Sequence, residues 1–265
     1  MAMVLETKSV ANRLTEEQVA FYRNEGFLVV RSVFSAAEVT LLGDDATRVS
    51  KSRREIIHAD NLRVRFKNHI ETNEPVFEVF DPISDLSSVA KAMTVDPRIL
   101  DRLDSIYEER ACLFKDKLIY KPPGAAGASL HQDWIGWPGF PESFLTVLIA
   151  IDSFDLASGA TAVYPRLHAK GYMSPTDGQH HSLHHDDMGI QPVTLVLEPG
   201  DVAIFSCFTP HYSESNKSEH WRRGYFISYN AVSDGGEQFD RHYTEFHDWI
   251  RSRYPVERRS QLVFQ

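Results

Sequence analysis

The second half of the chain alternates short apolar and β-branched runs with turn residues, and this pattern restricts the fold more than any other feature. From about Ala111 the runs are CLFKDKLIYK, FLTVLIAIDSF, GATAVYP, TLVLEPGDVAIFS and RGYFISYNAV, separated by the turn signals PPG, ASG and EPGD. Many short strands at such spacing are typical of an antiparallel sandwich or barrel. We therefore predict a β-barrel-like core over about residues 111–235.

Helical signals lie on both sides of this region. Thr15 with Gln18, and Ser35 with Glu38, have the spacing of capping boxes and predict the starts of two helices. The run FLVVRSVF between these helices is rich in β-branched residues and predicts a strand. DPRILDRLDSIYEER predicts a further helix, because its apolar residues share one face and a proline stands near the first turn.

The segment HYTEFHDWIRSRY predicts a closing helix over about residues 240–254. No internal repeat and no long linker interrupts the chain. We therefore expect a single domain over residues 1–265, with a helical N-terminal part to about residue 110, the β core, and the C-terminal helix.

Composition excludes several classes of protein. The 28 Lys and Arg against 37 Asp and Glu give a formal net charge of −9, which argues against a nucleic-acid binder. We expect no membrane partner, because no apolar run approaches the roughly 18 residues of a membrane span, and we expect no signal peptide at the N-terminus. Cys112 and Cys207 lie in apolar runs and are predicted to be small core residues rather than nucleophiles. A cytoplasmic setting is the expectation.

The stretch SLHQDWIGWP contains a His-x-Asp triplet, His131 and Asp133. Residues i and i+2 of an extended segment project to the same side, so both could reach one metal ion. With 12 histidines in the chain a third ligand is easily found, and context selects His211, which follows the apolar run VAIFSCF. Two imidazoles and one carboxylate form a facial triad that leaves positions open on Fe(II).

An arginine pair, Arg222 and Arg223, opens the strand RGYFISY. A buried arginine is costly unless it has a partner, and a bound dicarboxylate would supply one through a bidentate contact. Neighbouring residues of a strand face opposite sides, so only one of the two arginines points inward.

This combination resembles the phytanoyl-CoA dioxygenase family of Fe(II)/2-oxoglutarate oxygenases. KPPG…SLHQDW, GATAVYPRLHAKG and EPGDVAIF…PHYSESNKSEHWR correspond to family motifs over roughly residues 110–235, although Arg166 and Leu167 replace the usual Gly-Ser/Thr. The N-terminal LTEEQVAFYRNEGFLVVRSVFSAAEV is also similar. The resemblance implies a mainly β fold with flanking helices around a double-stranded β-helix core, which is a jelly roll of the cupin-like kind.

The resemblance also implies roles for individual residues. The metal ligands and catalytic residues would be His131, Asp133 and His211. Arg222, rather than Arg223, would hold the distal carboxylate of 2-oxoglutarate. The further cofactor-binding candidates are Ser213, Lys117, Lys67 and Gln132. Trp134 and Trp137 are candidates for the substrate-pocket wall, with ordinary core packing as the equal alternative.

The reaction implied by the family couples decarboxylation of 2-oxoglutarate, with Fe(II) and O₂, to oxidation of a substrate, and ascorbate would help to keep the iron reduced. The expected outcome is hydroxylation of an unactivated C–H in a small metabolite or natural-product intermediate, because Asp133 leaves no room for the chloride of related halogenases. Desaturation, ring formation and epimerisation are alternatives. A non-catalytic jelly-roll metal- or ligand-binding protein and a cupin-like metalloenzyme without 2-oxoglutarate are further alternatives, and the triad together with Arg222 counts against both.

The loop GQHHSLHHDD carries four histidines and two aspartates over residues 178–187. A second metal site is one interpretation of this composition. A polar loop bounded by glycine is more often exposed, and it could also cover the active site. The sequence leaves the choice between a lid and plain surface open.

Overall fold

The computed structural model describes residues 12–135 and 139–265. Its helices are α1 (Glu16–Glu25), α2 (Ala36–Ser52), α3 (Ser88–Met93), α4 (Pro97–Tyr107), α5 (Phe239–Ser252) and α6 (Val256–Arg259). Its strands are β1 (Phe27–Val30), β2 (Val64–Asn68), β3 (Pro75–Phe80), β4 (Ala111–Ile119), β5 (Ala128–His131), β6 (Leu145–Ala150), β7 (Thr161–Val163), β8 (Val193–Thr194), β9 (Val202–Ser206), β10 (His211–Ser213) and β11 (Gly224–Ala231).

The strands form two antiparallel sheets. The large sheet has seven strands in the order β1-β9-β6-β11-β4-β3-β2, and the small sheet has four in the order β5-β10-β7-β8. Neighbours in space are often distant in sequence, which is the connectivity of a jelly roll. The predicted mainly β fold with flanking helices is confirmed.

Alternation along the strands of the large sheet builds two cores. In β6, Val147 and Ile149 pack with residues of α1 to α4, whereas Leu148 and Ala150 pack with residues that face the small sheet. This period of two follows from the pleat, which sends successive side chains to opposite faces. The large sheet therefore has a helix-covered outer face and an inner face that helps to enclose a cavity.

The predicted helix starts are confirmed. Thr15 and Ser35 each form a capping box, with both the side-chain and the main-chain hydrogen bond present. The closing helix is observed as α5. The N-terminal part described as helical also contributes β1, β2 and β3 to the large sheet. Strands β2 and β3 were not predicted, because the segments RVRFKN and PVFEVF mix charged with apolar residues on a face that borders the cavity.

None of the helices in the described ranges combines the length and the apolar character needed to cross a lipid bilayer.

Candidate active site

The three predicted metal ligands converge. His131 ends β5 and His211 begins β10, and the two residues are directly paired in the small sheet. The Nε2 atom of each histidine lies 3.8 Å from Oδ1 of Asp133. All three possible ligand atoms lie within 4.8 Å of one another. Two imidazoles and a carboxylate in this arrangement fit a single Fe(II) with open coordination positions.

Hydrogen bonds orient each of these side chains. Nδ1 of His131 lies 2.6 Å from the Ser129 carbonyl, and Nδ1 of His211 lies 3.0 Å from the Thr209 carbonyl. Because carbonyls only accept, each Nδ1 carries the proton and each Nε2 is left free for a metal. Thr146 of β6 donates to Oδ2 of Asp133 at 3.0 Å, which leaves Oδ1 free in the same way.

The electrostatics keep His131 and Asp133 in the protonation state that binds a metal. Burial and the neighbouring His211 hold the pKa of His131 well below its usual value, so that the imidazole is neutral. Burial opposes ionisation of Asp133, but His211 and Lys117 outweigh it and hold the pKa of this carboxyl well below its usual range. Metal ligands must be deprotonated in this way.

Arg222 lies two residues before the start of β11 and is only 2% exposed. Its Nε and Nη1 atoms are buried without a hydrogen-bond partner among the described residues. Its guanidinium carbon lies 4.5 Å from the ring centroid of Phe154. Burial lowers its pKa to about 10, against the opposing effect of Glu78 and Asp152, so the side chain stays charged at neutral pH. Buried donors without partners are costly, and a bound carboxylate would satisfy them.

Arg223, in contrast, has hydrogen-bond partners for its guanidinium group. It donates to both carboxylate oxygens of Asp152 and to the Gly43 carbonyl of α2. Its side chain thus ties β11 to α2 on the outer face of the large sheet. The structure agrees with the choice of Arg222 as the inward arginine.

Ser213 lies at the end of β10 and borders the same cavity as Arg222. Its hydroxyl oxygen accepts hydrogen bonds from Nζ of Lys121, at 2.9 Å, and from the main-chain nitrogen of Ala128, at 3.2 Å. Since both contacts use the oxygen as acceptor, the hydroxyl proton remains available to a ligand.

Lys121 and Glu78 are charged residues of this region that sequence reasoning missed. Lys121 is fully buried and also donates to the carbonyls of Gly159 and Glu214. Burial and the nearby Arg222 lower its pKa to about 7. Its sequence signal was a lysine directly before PPG, at the end of an alternating strand.

Glu78 is the extra residue of a bulge in β3, where Arg65 pairs with Val79 and Phe66 pairs with Phe77. A bulge re-aims a side chain, and Glu78 accordingly lines the cavity together with its neighbour Val79. Burial raises its pKa, although nearby cations oppose this effect, Lys67 most strongly. A glutamate inside the apolar run PVFEVF was the available signal.

The other predicted cofactor-binding residues divide into two groups. Lys67 and Lys117 both line the cavity. Gln132 does not: its amide donates to the carbonyls of Gly171 and Phe208 and accepts from the nitrogen of Met173. Gln132 alternates in direction with the two ligands on either side, and its role in cofactor binding stays a prediction.

Trp134 belongs to an aromatic cluster beside the site. Its ring lies 4.9 Å from Tyr172 and 5.6 Å from Phe208, and it packs on the core around Phe114 and Phe144. It does not line the cavity that contains the triad. Trp137 lies outside the described residues.

The histidine-rich loop runs beside β5. Leu183 donates to the Leu130 carbonyl, and the ring of His180 lies 4.7 Å from that of His131, where it borders the cavity. His181 contacts Asp177, and His185 contacts the hydroxyl of Tyr164. Within the described ranges, the triad is the one group of three possible metal ligands. A covering role for the loop stays a prediction.

The cavity around the triad has a volume of about 410 Å³. A larger and more open groove of about 1000 Å³ lies between α1 and α4, bordered by Arg23 and Glu108. These two residues form an exposed ion pair, and the groove contains none of the triad residues. The smaller cavity is therefore the candidate active site, despite its size.

A jelly roll with a His-Asp-His triad and an unpartnered arginine in one cavity defines a class of non-haem iron oxygenases. Comparison with known proteins agrees. The family model described as phytanoyl-CoA dioxygenase (PhyH) matches residues 22–224. The chain therefore belongs to the phytanoyl-CoA dioxygenase family of Fe(II)/2-oxoglutarate-dependent dioxygenases, whose cofactors are iron, 2-oxoglutarate and O₂.

Individual relatives lie at moderate distance. A 2-aminoethylphosphonate dioxygenase from the uncultured bacterium HF130_AEPn_1 is 26% identical over 229 residues, which cover 85% of each chain. A methylphosphonate hydroxylase from Gimesia maris is 32% identical over 139 residues, which cover 52% of each. Among solved structures, EctD from S. alaskensis with 2-oxoglutarate and 5-hydroxyectoine matches with a TM-score of 0.69 at 20% identity, over 89% of this chain and 84% of that one. This last likeness concerns the fold.

Proposed function

We propose that this dioxygenase hydroxylates an unactivated C–H bond of a small metabolite, with release of succinate and CO₂. One observation carries the proposal: the triad and the unpartnered N–H groups of Arg222 face the same cavity. A binding protein without catalysis needs only one of these features. A metalloenzyme without 2-oxoglutarate does not need the arginine.

The residues of the cavity would have different roles in this reaction. His131, Asp133 and His211 would hold the iron, which together with 2-oxoglutarate and O₂ supplies the oxidant for the C–H bond. Arg222 would bind the distal carboxylate of 2-oxoglutarate, and Ser213 would donate its remaining proton to that carboxylate. Phe154 beneath the guanidinium keeps water from this end of the cavity, which strengthens the ionic contact.

The size of the cavity supports a small substrate. Pockets for drug-sized ligands span about 300–1000 Å³. Here about 410 Å³ must contain both the co-substrate and the reacting part of the substrate. The two reported relatives named for small phosphonates support the same size class. Small organophosphonates are thus among the first compounds to test, and a freely diffusing metabolite in the cytoplasm is the setting we propose.

The test is turnover by protein loaded anaerobically with Fe(II) and exposed to ¹⁸O₂ and 2-oxoglutarate in the presence of a panel of small metabolites. Hydroxylation predicts succinate in equal amount to a product that carries one ¹⁸O atom. Desaturation, ring formation or epimerisation would give succinate with a product that lacks the label.

An Asp133→Ala variant is the control for the iron requirement. Iron-loaded protein that forms no succinate with any compound of the panel would favour the non-catalytic alternative. Substrate oxidation that proceeds without 2-oxoglutarate would favour the cupin-like alternative.

A further inference from the structure

The active-site cavity has cationic residues at both of its ends. At one end Arg222 lies next to Lys121, whose carbonyl accepts from the main-chain nitrogen of Arg222. Lys115 lies six residues before Lys121 in the chain. At about 3.3 Å per extended residue, this separation is about 20 Å. Because Arg222 accounts for the co-substrate end, the end left for the substrate is the one bordered by Arg65, Asp81 and Lys117, and Lys115 lies next to it along β4, behind the residues that line the cavity.

The geometry of β4 directs its lysines inward. Lys115 and Lys117 are separated by two positions and therefore share a face. Lys115 pairs with Ser228 of β11, whose hydroxyl lies 3.2 Å from that of Thr146. Thr146 in turn binds the metal-ligand carboxylate of Asp133. A short chain of contacts thus places Lys115 beside the candidate iron site.

Three cations at this end lack anionic partners at contact distance. Arg65 uses Nη1 on the carbonyls of Leu62 and Val64, and its Nη2 is buried with no partner in the described part of the chain. The ammonium groups of Lys115 and Lys117 lie 5.5 and 5.7 Å from aromatic ring centroids. Within the described ranges neither lysine makes an ion pair closer than 4 Å.

Asp81 is the carboxylate that interacts with all three cations, whereas Asp133 is a metal ligand and Glu78 is influenced most strongly by Lys67. Oδ1 of Asp81 accepts a hydrogen bond of 2.8 Å from the hydroxyl of Tyr243. Burial raises the pKa of Asp81, but Arg65, Lys115 and Lys117 outweigh burial and lower it overall. Burial and the nearby Lys117 lower the pKa of Lys115, which is the effect of crowded positive charge. About two positive charges therefore remain without a counter-charge.

The co-substrate cannot neutralise them. Its two carboxylates, together with Asp133, balance the charge of Fe(II) and Arg222. A neutral substrate would leave the excess cations enclosed with it, which is unfavourable in a partly buried site. A tetrahedral dianion would satisfy them, because its oxygens accept from a guanidinium fork and from two ammonium groups at once.

We propose that Arg65, Lys115 and Lys117 form a subsite for a dianionic phosphonate or phosphate head of the substrate, with the attacked C–H a few bonds from it. The inference rests on the proposed function and adds the substrate class. Lys117 lies between the two ends, so the subsite is distinguished from the co-substrate site by Arg65 and Lys115.

The experiment is calorimetric titration, without O₂, of protein loaded with Fe(II) and 2-oxoglutarate. The probes are ethylphosphonate, ethyl phosphate, the monoanion propionate and the neutral propionamide. We expect at least one of the two dianions to bind at least about tenfold more tightly than propionate and propionamide, and the tighter of the two identifies the head group.

The variants Lys115→Met and Arg65→Gln should each raise the Kd for the dianion by about 30-fold or more, since each removes a charged contact. Lys115→Arg keeps the charge and should retain most of the affinity. Arg110→Gln, an exposed arginine just before β4, is the matched control and should have no effect. A 2-oxoglutarate Kd within about threefold of the wild-type value shows that the variants fold and keep the co-substrate site.

Three results would overturn the subsite. The first is binding of propionamide as tight as that of both dianions, and the second is no binding of any probe by protein that binds 2-oxoglutarate. The third is dianion affinity that is unchanged in both variants. Failure of the proposed function appears differently: dianion binding that depends on Lys115, with no succinate from any compound of the metabolite panel on admission of O₂, would support the subsite and count against the hydroxylase.

Discussion

The two sheets that enclose the active site are stabilised in different ways. The small sheet consists of strands of two to four residues, and His131 and His211 sit at its edge of the cavity, oriented by contacts to nearby carbonyls. The large sheet has strands of up to nine residues, and its outer face is buried under four helices. Each large aliphatic side chain buried there contributes about 1.5–3 kcal/mol.

Because of this difference, the small sheet mainly serves the reaction at the metal site, whereas the large sheet mainly stabilises the fold. Changes to the ligands in the small sheet remove metal contacts but little buried apolar surface. Changes in the large sheet touch the main core, although its inner face also supplies the cations of the cavity. Substitutions in the two sheets should therefore divide into effects on turnover and effects on unfolding.

The largest expected effect is on turnover. His131→Ala, Asp133→Ala and His211→Ala should each lower 2-oxoglutarate turnover by a factor of about 10³ or more, because iron would lose one of only three protein ligands. The unfolding free energy should change by less than about 1 kcal/mol. Succinate release and urea unfolding measure the two quantities. Full activity in His211→Ala would show that another histidine is the third ligand.

Arg222 and Arg223 are neighbours just before β11, but their substitution should have different effects. Arg222→Leu should raise the Kd of 2-oxoglutarate about 30- to 4000-fold, because a charge-assisted contact is worth about 2–5 kcal/mol. Arg223→Leu should leave this Kd nearly unchanged and destabilise the fold by about 2 kcal/mol, since it breaks the contacts to Asp152 and α2. Calorimetry and urea unfolding on both variants decide the matter. Reversed effects would mean that the inward arginine is misassigned.

The convergence of His131 with Asp133 and the separation of the two arginines have a local physical cause. Alternation over two residues brings His131 and Asp133 to one side and separates Arg222 from Arg223, and both relations are local. The same alternation turns Gln132, which lies between two inward residues, away from the cavity. Trp134 was ambiguous because a tryptophan next to a site packs equally well on a pocket wall or in a core.

Other parts of the site depend on contacts between segments that are distant in the sequence, and a local sequence pattern does not reveal such contacts. Glu78 enters the cavity only because β3 has a bulge against β2. Lys121 is held by carbonyls from two distant segments, Gly159 and Glu214. The cation excess around Arg65 and Lys115 exists only after β2 and β4 join the same sheet. Such features follow from strand order, which a single sequence does not specify.

A histidine packed on the large sheet contrasts with the two ligands. His242 of α5 lies 4.3 Å from the ring of Phe114, and its Nε2 is buried without a partner in the described ranges. Burial, with a smaller contribution from Lys115, lowers its pKa to about 3. The unfolded chain binds this proton near pH 6.5. Between these values the unfolded state holds more protons than the folded state, so stability falls as pH falls below about 6.5.

Urea unfolding of the wild type and of His242→Phe at pH 7 and pH 5 tests this expectation. The wild type should lose about 2 kcal/mol more than the variant over this interval. Asp116, whose pKa burial raises to about 6, has an opposite slope that is common to both proteins and cancels. Equal pH dependence in the two proteins would show that His242 is protonated without cost in the fold.

The smallest expected effect concerns the hydrogen bond that joins the two regions, from Thr146 of the large sheet to Asp133 beside the small one. Thr146→Val keeps the β-branched shape and removes the donor, which leaves the carboxylate less well oriented. Loss of such an outer contact typically costs 10- to 100-fold in metal affinity or activity, and we expect the lower end, about tenfold, because Oδ1 keeps its position relative to both histidines. Ser228→Ala is the matched control, since it removes the hydroxyl next to Thr146 and leaves the bond to Asp133 in place. Iron affinity and succinate release, measured on both variants, should fall only in Thr146→Val. Equal values in the two variants would mean that Asp133 is fixed by its own main-chain contact to Cys207 and that the large sheet does not orient the metal ligand.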